Sequence, residues 1–202
     1  MPECCRRFLS PLMKHLVTPR LLMRPFVESD FDDLFKLYSN AEVMRYIPPF
    51  RPLTMEETAD SLERMMLNFN EAGYGEFAVI ERKEKKFIGK CGLQYHENTG
   101  LTELGYLFSH ETCDKGYATE ASMQVLRTAF NEWGIDKIVA VAHSENRTST
   151  QVMEKIGMIY EKQARFYNNE MVLYSLEKPK ENPDSIFEHS YQNSPRLSLH
   201  EV

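Results

Sequence analysis

The sequence has no long apolar run, and no stretch approaches the roughly 20 apolar residues that a membrane-spanning helix requires. Cysteine is scarce as well, with four in 202 residues and no pair at the spacing of a metal site. Cys4 and Cys5 are adjacent and poorly placed to bond each other, so reduced thiols and a cytoplasmic location are expected. A basic excess is also missing, since the formal net charge is −6, and this argues against nucleic-acid binding.

The composition is that of an ordinary globular protein, with 42% apolar and 27% charged residues. The length suits one well-buried core and is short for two domains. We predict an N-terminal extension over residues 1–17, read as a short amphipathic helix because a secretory cleavage site is lacking. One domain is expected over residues 18–178. Residues 179–202 form a polar, mobile tail in this interpretation, because they hold too little apolar surface to offset the entropy of ordering.

Apolar periodicity predicts the order strand, two helices, three strands, helix, strand, helix and two strands. Thr54 and Glu57 form a capping box at the start of the second helix, Gly73 ends that helix, and Gly134 ends the helix that follows the three strands. A run of hairpins followed by a strand–helix–strand unit indicates an α/β (α+β) fold with a mixed, mostly antiparallel sheet. The predicted bounds are strand 21–26, helices after Ser29 and Thr54, strands 76–81, 87–95 and 102–108, helix 117–133, strand 138–142, helix 146–156, and strands 158–166 and 171–176 around a turn at Asn168 and Asn169.

The most informative segment runs from Leu104 to Ala121, where a strand ends, a loop follows and a helix begins near Gly116. The N-terminus of a helix offers unpaired N–H groups and a partial positive charge. Gly116 lets a phosphate approach the backbone and Ala118 leaves the next position uncluttered, so the segment predicts a cradle for a pyrophosphate. A glycine that only turns the chain into a helix is the alternative for this residue taken alone.

The run from Lys115 to Ala121, K-G-Y-A-T-E-A, resembles the cofactor loop of the GNAT acetyltransferase superfamily. A later set of residues resembles the second motif of that family: Asn146, Ser149, Lys155, Gly157 and Met158. Residues 18–26 and 43–47 resemble the branch that contains the ribosomal-protein-alanine N-acetyltransferases. The resemblance covers residues 18–176 in the expected order.

This resemblance implies a single-domain GNAT-like fold, in which helices flank a sheet whose central parallel strands splay apart to hold acetyl-CoA as co-substrate. The implied cofactor contacts are the backbone of Tyr106, Leu107 and Phe108 for pantetheine, Asp114, Lys115, Gly116, Tyr117, Ala118 and Thr119 for the pyrophosphate, and Asn146 and Ser149 beside the pantetheine arm. Asn146 is equally suited to be an ordinary N-cap, and the two roles are compatible.

Two departures from the family pattern bear on activity. The cofactor loop usually begins with Gln or Arg, whereas Cys113 and Asp114 stand here, so Arg147 or Arg127 would have to compensate for the negative charge. Many members carry a tyrosine general acid four positions after the residue that matches Ser149, and here that residue is Met153. Ser149, or water, is left to protonate or solvate the leaving thiolate.

Glu103 is the first candidate for the general base, acting directly or through a water, and a solvated strand glutamate is the alternative. His96 is the second candidate, with a surface hairpin histidine as its alternative. Cys113 resembles a nucleophile by residue type alone, since no histidine is placed to activate it and direct transfer needs no acyl-enzyme.

These features predict an N-acetyltransferase in which a primary amine, on a protein N-terminus or a small molecule, attacks the thioester directly. A non-catalytic module that binds CoA or a partner is the alternative that Cys113, Asp114 and Met153 favour. A dinucleotide-binding oxidoreductase is disfavoured because the loop has one glycine of the three in G-x-G-x-x-G. We expect an amine acceptor as partner, no nucleic acid, membrane or metal, and a monomer or homodimer. No residue pattern names the acceptor.

Overall fold

The computed structural model describes residues 15–166 and 169–180. Eight strands form one sheet in the order β1-β2-β3-β4-β5-β6-β8-β7, and the β5–β6 pair is its parallel one. The strands are β1 (Leu16–Val17), β2 (Leu21–Pro25), β3 (Glu76–Glu81), β4 (Lys86–His96), β5 (Leu101–Phe108), β6 (Lys137–His143), β7 (Ile159–Phe166) and β8 (Asn169–Glu177). The α-helices are α1 (Phe31–Tyr38), α2 (Ala41–Met44), α3 (Met55–Ala72), α4 (Tyr117–Thr128) and α5 (Arg147–Lys155). The predicted mixed, mostly antiparallel sheet is therefore confirmed.

Two apolar clusters lie on the two faces of the sheet, because successive strand residues point to opposite faces. On β5, Leu104 belongs to the cluster with α4, and Leu107 belongs to the cluster with α1 and α3. The fold is therefore a sheet with helices on both faces. No helix among the described residues is both long and apolar enough to cross a membrane.

The capping box of α3 is present as predicted. The Oγ1 atom of Thr54 accepts a hydrogen bond from the Glu57 N–H at 3.2 Å, and the Glu57 carboxylate accepts one from the Thr54 N–H at 2.9 Å. Arg51 adds two further bonds to that carboxylate, at 2.6 and 2.9 Å. Gly73 ends the helix with a φ of 74°. These contacts define the two ends of α3, and the helix buries Leu62, Met65 and Phe69.

The first predicted helix begins later than the sequence indicates. Ser29 lies in a 3-10 turn, Glu28–Asp30, and α1 starts at Phe31. The Asp30 carboxylate explains the turn, because it binds Arg24 at 2.6 and 2.7 Å and accepts the Val27 N–H at 2.9 Å. The four residues of α2 were missed, since one turn is too short to show a period.

The predicted helix over 117–133 is two pieces. The α-helix α4 ends at Thr128, and Ala129–Trp133 form a π-helical turn that ends at Gly134, whose φ is 69°. The predicted stop at Gly134 is therefore correct, but the helix changes type in its last turn. Trp133 stacks on Tyr74, with ring centroids 5.3 Å apart.

The sheet begins before residue 18. In β1, Leu16 pairs with Met23 of β2 and is buried, so these two residues form a strand where the sequence predicted a helix. Residues 1–14 and 181–202, which hold most of the predicted extension and tail, lie outside the described residues, as does Asn168 of the predicted turn. The domain boundaries at residues 18 and 178 stay predictions.

Candidate active site

The sheet is open between β5 and β6. The two strands share one residue pair, Glu103 with Val139, and beyond it a cleft of about 230 Å³ separates them. The cleft is lined by both strands, by α5 and by the loop after α2, through Glu103, Leu104, Gly105, Tyr106, Leu107, Val141, Ala142, Asn146, Ser149, Met153, Tyr46, Ile47 and Pro48. The backbone edge of β5 toward Phe108 has no strand partner in β6, so it remains available to a ligand with amide groups.

Helix α4 begins with the geometry of an anion cradle. Gly116 has a φ of 75°, and the first intrahelical bond runs from the Glu120 N–H to its carbonyl at 3.1 Å. The N–H groups of Tyr117, Ala118 and Thr119 therefore have no acceptor within the helix. A Cβ at Gly116 would have one neighbour within 4 Å, the Nη2 atom of Arg20 at 3.5 Å, so the space in front of the glycine is open.

Arg20, which the sequence analysis did not single out for chemistry, lies beside this cradle. Its Nε atom pairs with Glu120 at 2.5 Å, and its Nη1 atom donates to the Lys115 carbonyl at 2.8 Å. The guanidinium also lies over the Tyr117 ring, 4.6 Å from its centroid. The turn between β1 and β2 thus holds the loop and the first turn of α4 together. A pairing across about 100 residues leaves no signal in a single sequence.

The three loop residues before Gly116 are exposed. Asp114 adopts a left-handed φ of 59°, a conformation that Asp tolerates better than most residues. Of the two arginines considered as compensating cations, Arg147 is exposed at the start of α5, whereas Arg127 lies in the last turn of α4. That last turn is about 15 Å along the helix axis from Gly116, so Arg127 is remote from the cradle.

Asn146 is the N-cap of α5, and its Oδ1 atom accepts the Ser149 N–H at 3.2 Å. Both residues also line the cleft, so the ordinary capping role of Asn146 is compatible with a position on the cleft wall. Met153 follows one turn later, is buried and lines the same wall. Its thioether has no proton to donate.

The phenol of Tyr106 meets Ser149 across the cleft. Its oxygen lies 2.9 Å from the Ser149 Oγ atom and 2.9 Å from the Ser149 carbonyl oxygen. Burial raises the pKa of Tyr106 well above its ordinary value, so the phenol keeps its proton. Sequence reasoning had used only the backbone of Tyr106, because nothing in a sequence tells which hydroxyl its side chain reaches.

The two candidate bases, Glu103 and His96, form one pair. The Nε2 atom of His96 lies 2.7 Å from a Glu103 carboxylate oxygen, and both side chains are largely buried. Burial raises the pKa of Glu103, and the nearby His96 partly opposes that rise. Glu103 lines the cleft, so it is the member of the pair that can meet a substrate.

A second buried ion pair lies next to Glu103. Lys90 and Glu76 are 2.6 Å apart, with 15% of each side chain exposed. Gly92 allows a close approach of the backbone that leads into Glu76, because a Cβ at Gly92 would lie 2.1 Å from the Gly75 carbonyl oxygen. The pair also lines an adjoining cavity of about 360 Å³ beneath α3. Nothing in the sequence indicates this pair, since charge alone does not reveal burial.

An open parallel strand pair, a glycine-led helix start and a buried carboxylate facing the gap are the features that the resemblance to acetyl-CoA-dependent acyltransferases led us to expect. The family model described as acetyltransferase (GNAT) domain matches residues 20–159. The uncharacterized N-acetyltransferase YnaD of Bacillus subtilis is 34% identical over 145 residues, which are 71% of this chain and 82% of that protein.

Solved structures agree with this assignment. The GNAT-family acetyltransferase of Bacillus anthracis matches with a TM-score of 0.71 and 29% identity, covering 81% of this chain and 98% of that one. A ribosomal L7/L12 α-N-protein acetyltransferase in complex with coenzyme A shares the fold, at a TM-score of 0.71 and 15% identity over 81% of this chain and 98% of that one. The chain belongs to the GNAT acetyltransferase family. It is an acyltransferase with acetyl-CoA as its co-substrate.

The pKa of the Glu103 carboxyl should lie above the ordinary value for Glu, about 4.3, because burial disfavours its charged form. His96→Gln should move its midpoint to still higher pH, since the substitution removes a partner that favours the charged form. Carboxyl ¹³C NMR of the labelled protein measures both values. His110→Gln, at an exposed site beside Glu42, is the control and should leave the midpoint unchanged. An equal midpoint in the parent and in His96→Gln would contradict the coupling.

Proposed function

We propose that the protein is an N-acetyltransferase in which a primary amine, on a protein N-terminus or a small molecule, attacks the thioester of acetyl-CoA directly. The observation that carries this proposal is the position of Glu103 and Ser149 on the same cleft between β5 and β6. Neither described cysteine suits an acyl-enzyme. Burial raises the pKa of Cys91 to about 12, and Cys113 is exposed without a histidine partner.

In the proposed complex, pantetheine follows the unpaired edge of β5, with the backbone of Tyr106, Leu107 and Phe108 as its hydrogen-bonding groups. Its pyrophosphate meets the N–H groups of Tyr117, Ala118 and Thr119, and the side chains of Asn146 and Ser149 flank the arm. Two observations support this placement. Gly116 has a positive φ with open space in front of it, and the Arg20 guanidinium lies beside it. Arg20 and Lys115 supply cations that offset the charge of Asp114.

Glu103 removes the proton from the acceptor ammonium, directly or through one water. Its pKa is raised toward neutral pH by burial, which favours proton uptake from an amine whose own pKa is higher. The freed nitrogen then attacks the thioester carbon, the C–S bond breaks and its electron pair moves to sulfur, and the nitrogen loses its second proton to water as the amide forms. The Ser149 hydroxyl stabilises the resulting thiolate by a hydrogen bond.

The cavity beneath α3 is the proposed site for the body of the acceptor. It adjoins the cleft, since both are lined by Ile47, Pro48, Glu76, Lys90 and Gln94. Asp60 and Arg64 add charges of both signs to its wall. A cytoplasmic location, where acetyl-CoA and reduced thiols occur together, is part of the same proposal.

Saturating acetyl-CoA should raise the melting temperature, because a ligand that binds only the folded state stabilises it. At about 100 times Kd the stabilisation is about 2.7 kcal/mol, or roughly 5–10 °C for a chain of this size. A panel of peptide and small-molecule amines, assayed by thiol release, should then contain at least one acceptor. A thermal shift without transfer to any amine would support a CoA-binding module and overturn the proposed activity.

Gly116→Val should abolish acetyl-CoA binding while the domain stays folded, because the branched side chain occupies the space that a phosphate needs. Gly100→Val is the matched control. Gly100 has a similar φ of 68° and open surroundings, but it lies in the β4–β5 hairpin. Both variants carry the same backbone strain, so calorimetric titration with acetyl-CoA isolates the effect on the cradle. Equal binding by the two variants would place the pyrophosphate elsewhere.

Glu103→Gln should lower kcat by roughly 10²–10⁴-fold, the usual contribution of a general base, with acetyl-CoA affinity nearly unchanged. In the parent, kcat/KM should fall as pH drops through the raised pKa of Glu103, because a protonated carboxyl cannot accept the amine proton. The variant should lack this fall in kcat/KM at low pH. The difference between its rate and that of the parent should shrink as pH approaches the pKa of the acceptor. Glu97→Gln, exposed in the neighbouring hairpin, is the control. Identical profiles for Glu103→Gln and the parent would assign Glu103 a structural role.

A further inference from the structure

The phenol of Tyr106 has one proton and two acceptors at the same distance. The Oγ atom and the carbonyl oxygen of Ser149 each lie 2.9 Å from the phenol oxygen. Helix geometry already gives the carbonyl oxygen a partner, the N–H of Met153 four residues later in α5. The carbonyl therefore does not require the phenol, and the phenol proton can turn to the Oγ atom.

The direction of that bond decides where the Ser149 proton points. When the phenol donates to the carbonyl, the Ser149 hydroxyl can donate back to the phenol oxygen, and its proton is then engaged. When the phenol donates to the Oγ atom, the Ser149 proton is free to point into the cleft. A hydroxyl carries one donor and two acceptor positions, so the Ser149 Oγ atom can accept from Tyr106 and still donate its own proton to a group in the cleft.

Few other hydroxyls line the cleft among the described residues. Met153, one turn after Ser149, offers only a thioether. Tyr46 also lines the cleft, but its ring packs on His143, with centroids 5.3 Å apart. Tyr106 and Ser149 are the hydroxyl pair that contact each other on this wall.

We propose that Tyr106 is a positioning residue whose O–H donates to the Ser149 Oγ atom and aims the Ser149 proton at the sulfur as the C–S bond breaks. The proposal rests on the proposed function. Glu103 takes the ammonium proton, and the nitrogen loses its second proton to water as the amide forms. The electron pair of the C–S bond goes to sulfur, and the thiolate later takes a proton from water. Tyr106 and Ser149 both keep their own protons, so each acts only through a hydrogen bond.

A double-mutant cycle of Tyr106→Phe and Ser149→Ala tests this coupling. Tyr106→Phe should lower kcat about three- to tenfold, the usual size for one hydrogen bond, with KM for acetyl-CoA within about twofold of the parent. Ser149→Ala should lose at least as much. Adding Tyr106→Phe to Ser149→Ala should cost nothing further, because the phenol then has no Oγ atom to orient.

Tyr174→Phe is the matched control, since it removes a phenol proton that goes to Glu154 of α5, and neither of these residues lines the cleft. It should turn over like the parent. A Tyr106→Phe variant with the full kcat of the parent would overturn the inference. An equal loss of kcat from Tyr106→Phe in the parent and in Ser149→Ala would also overturn it, because a packing role predicts that result. Loss of kcat in Tyr46→Phe alone would assign the role to Tyr46. If the parent protein transfers acetyl to no amine, the proposed function is wrong, and the inference that rests on it is wrong as well.

Discussion

The opening of the sheet between β5 and β6 is the constraint on which the site depends. β5 pairs with β4 over its whole length, and β6 pairs with β8 over its whole length, yet β5 and β6 share one residue pair. Each half of the sheet is therefore secured by its own antiparallel partner. The gap can persist without loss of either half, and it leaves backbone groups at its edges that a ligand with amides can satisfy.

The gap also explains why charges can be kept in a largely buried place. Glu103 and Glu76 both approach it from the α3 face, and each is held by a basic partner, His96 or Lys90. An unpaired carboxylate at such a depth would be costly, whereas a paired one retains its charge. Burial is the largest influence on the pKa of Glu103 and raises it, while His96 opposes that rise and the neighbouring Glu76 and Lys90 act in opposite directions.

The sequence predicted those parts of the molecule that depend on neighbouring residues. The Thr54–Glu57 capping box, the Gly73 and Gly134 stops and the capping position of Asn146 all arise within one helical turn. Parts formed by distant segments were missed. The contact of Tyr106 with Ser149 spans 43 residues, and that of Arg20 with Glu120 spans 100. His96 and Glu103 were both singled out, but as rivals, because their pairing depends on the register of a hairpin.

The contacts of Arg20 add a guanidinium to the charges that surround the loop before α4. Within the loop Asp114 and Lys115 offset each other, so the loop alone brings no net charge to a pyrophosphate. Arg20 uses its Nε atom on Glu120 and its Nη1 atom on the Lys115 carbonyl, which leaves Nη2 on the side of Gly116. A guanidinium can bind partners in several directions at once because its donors are fixed in a planar fork. The turn between β1 and β2 thus brings a guanidinium that is paired with Glu120 to the open side of Gly116, with its Nη2 atom 3.5 Å from where a Cβ of that glycine would lie.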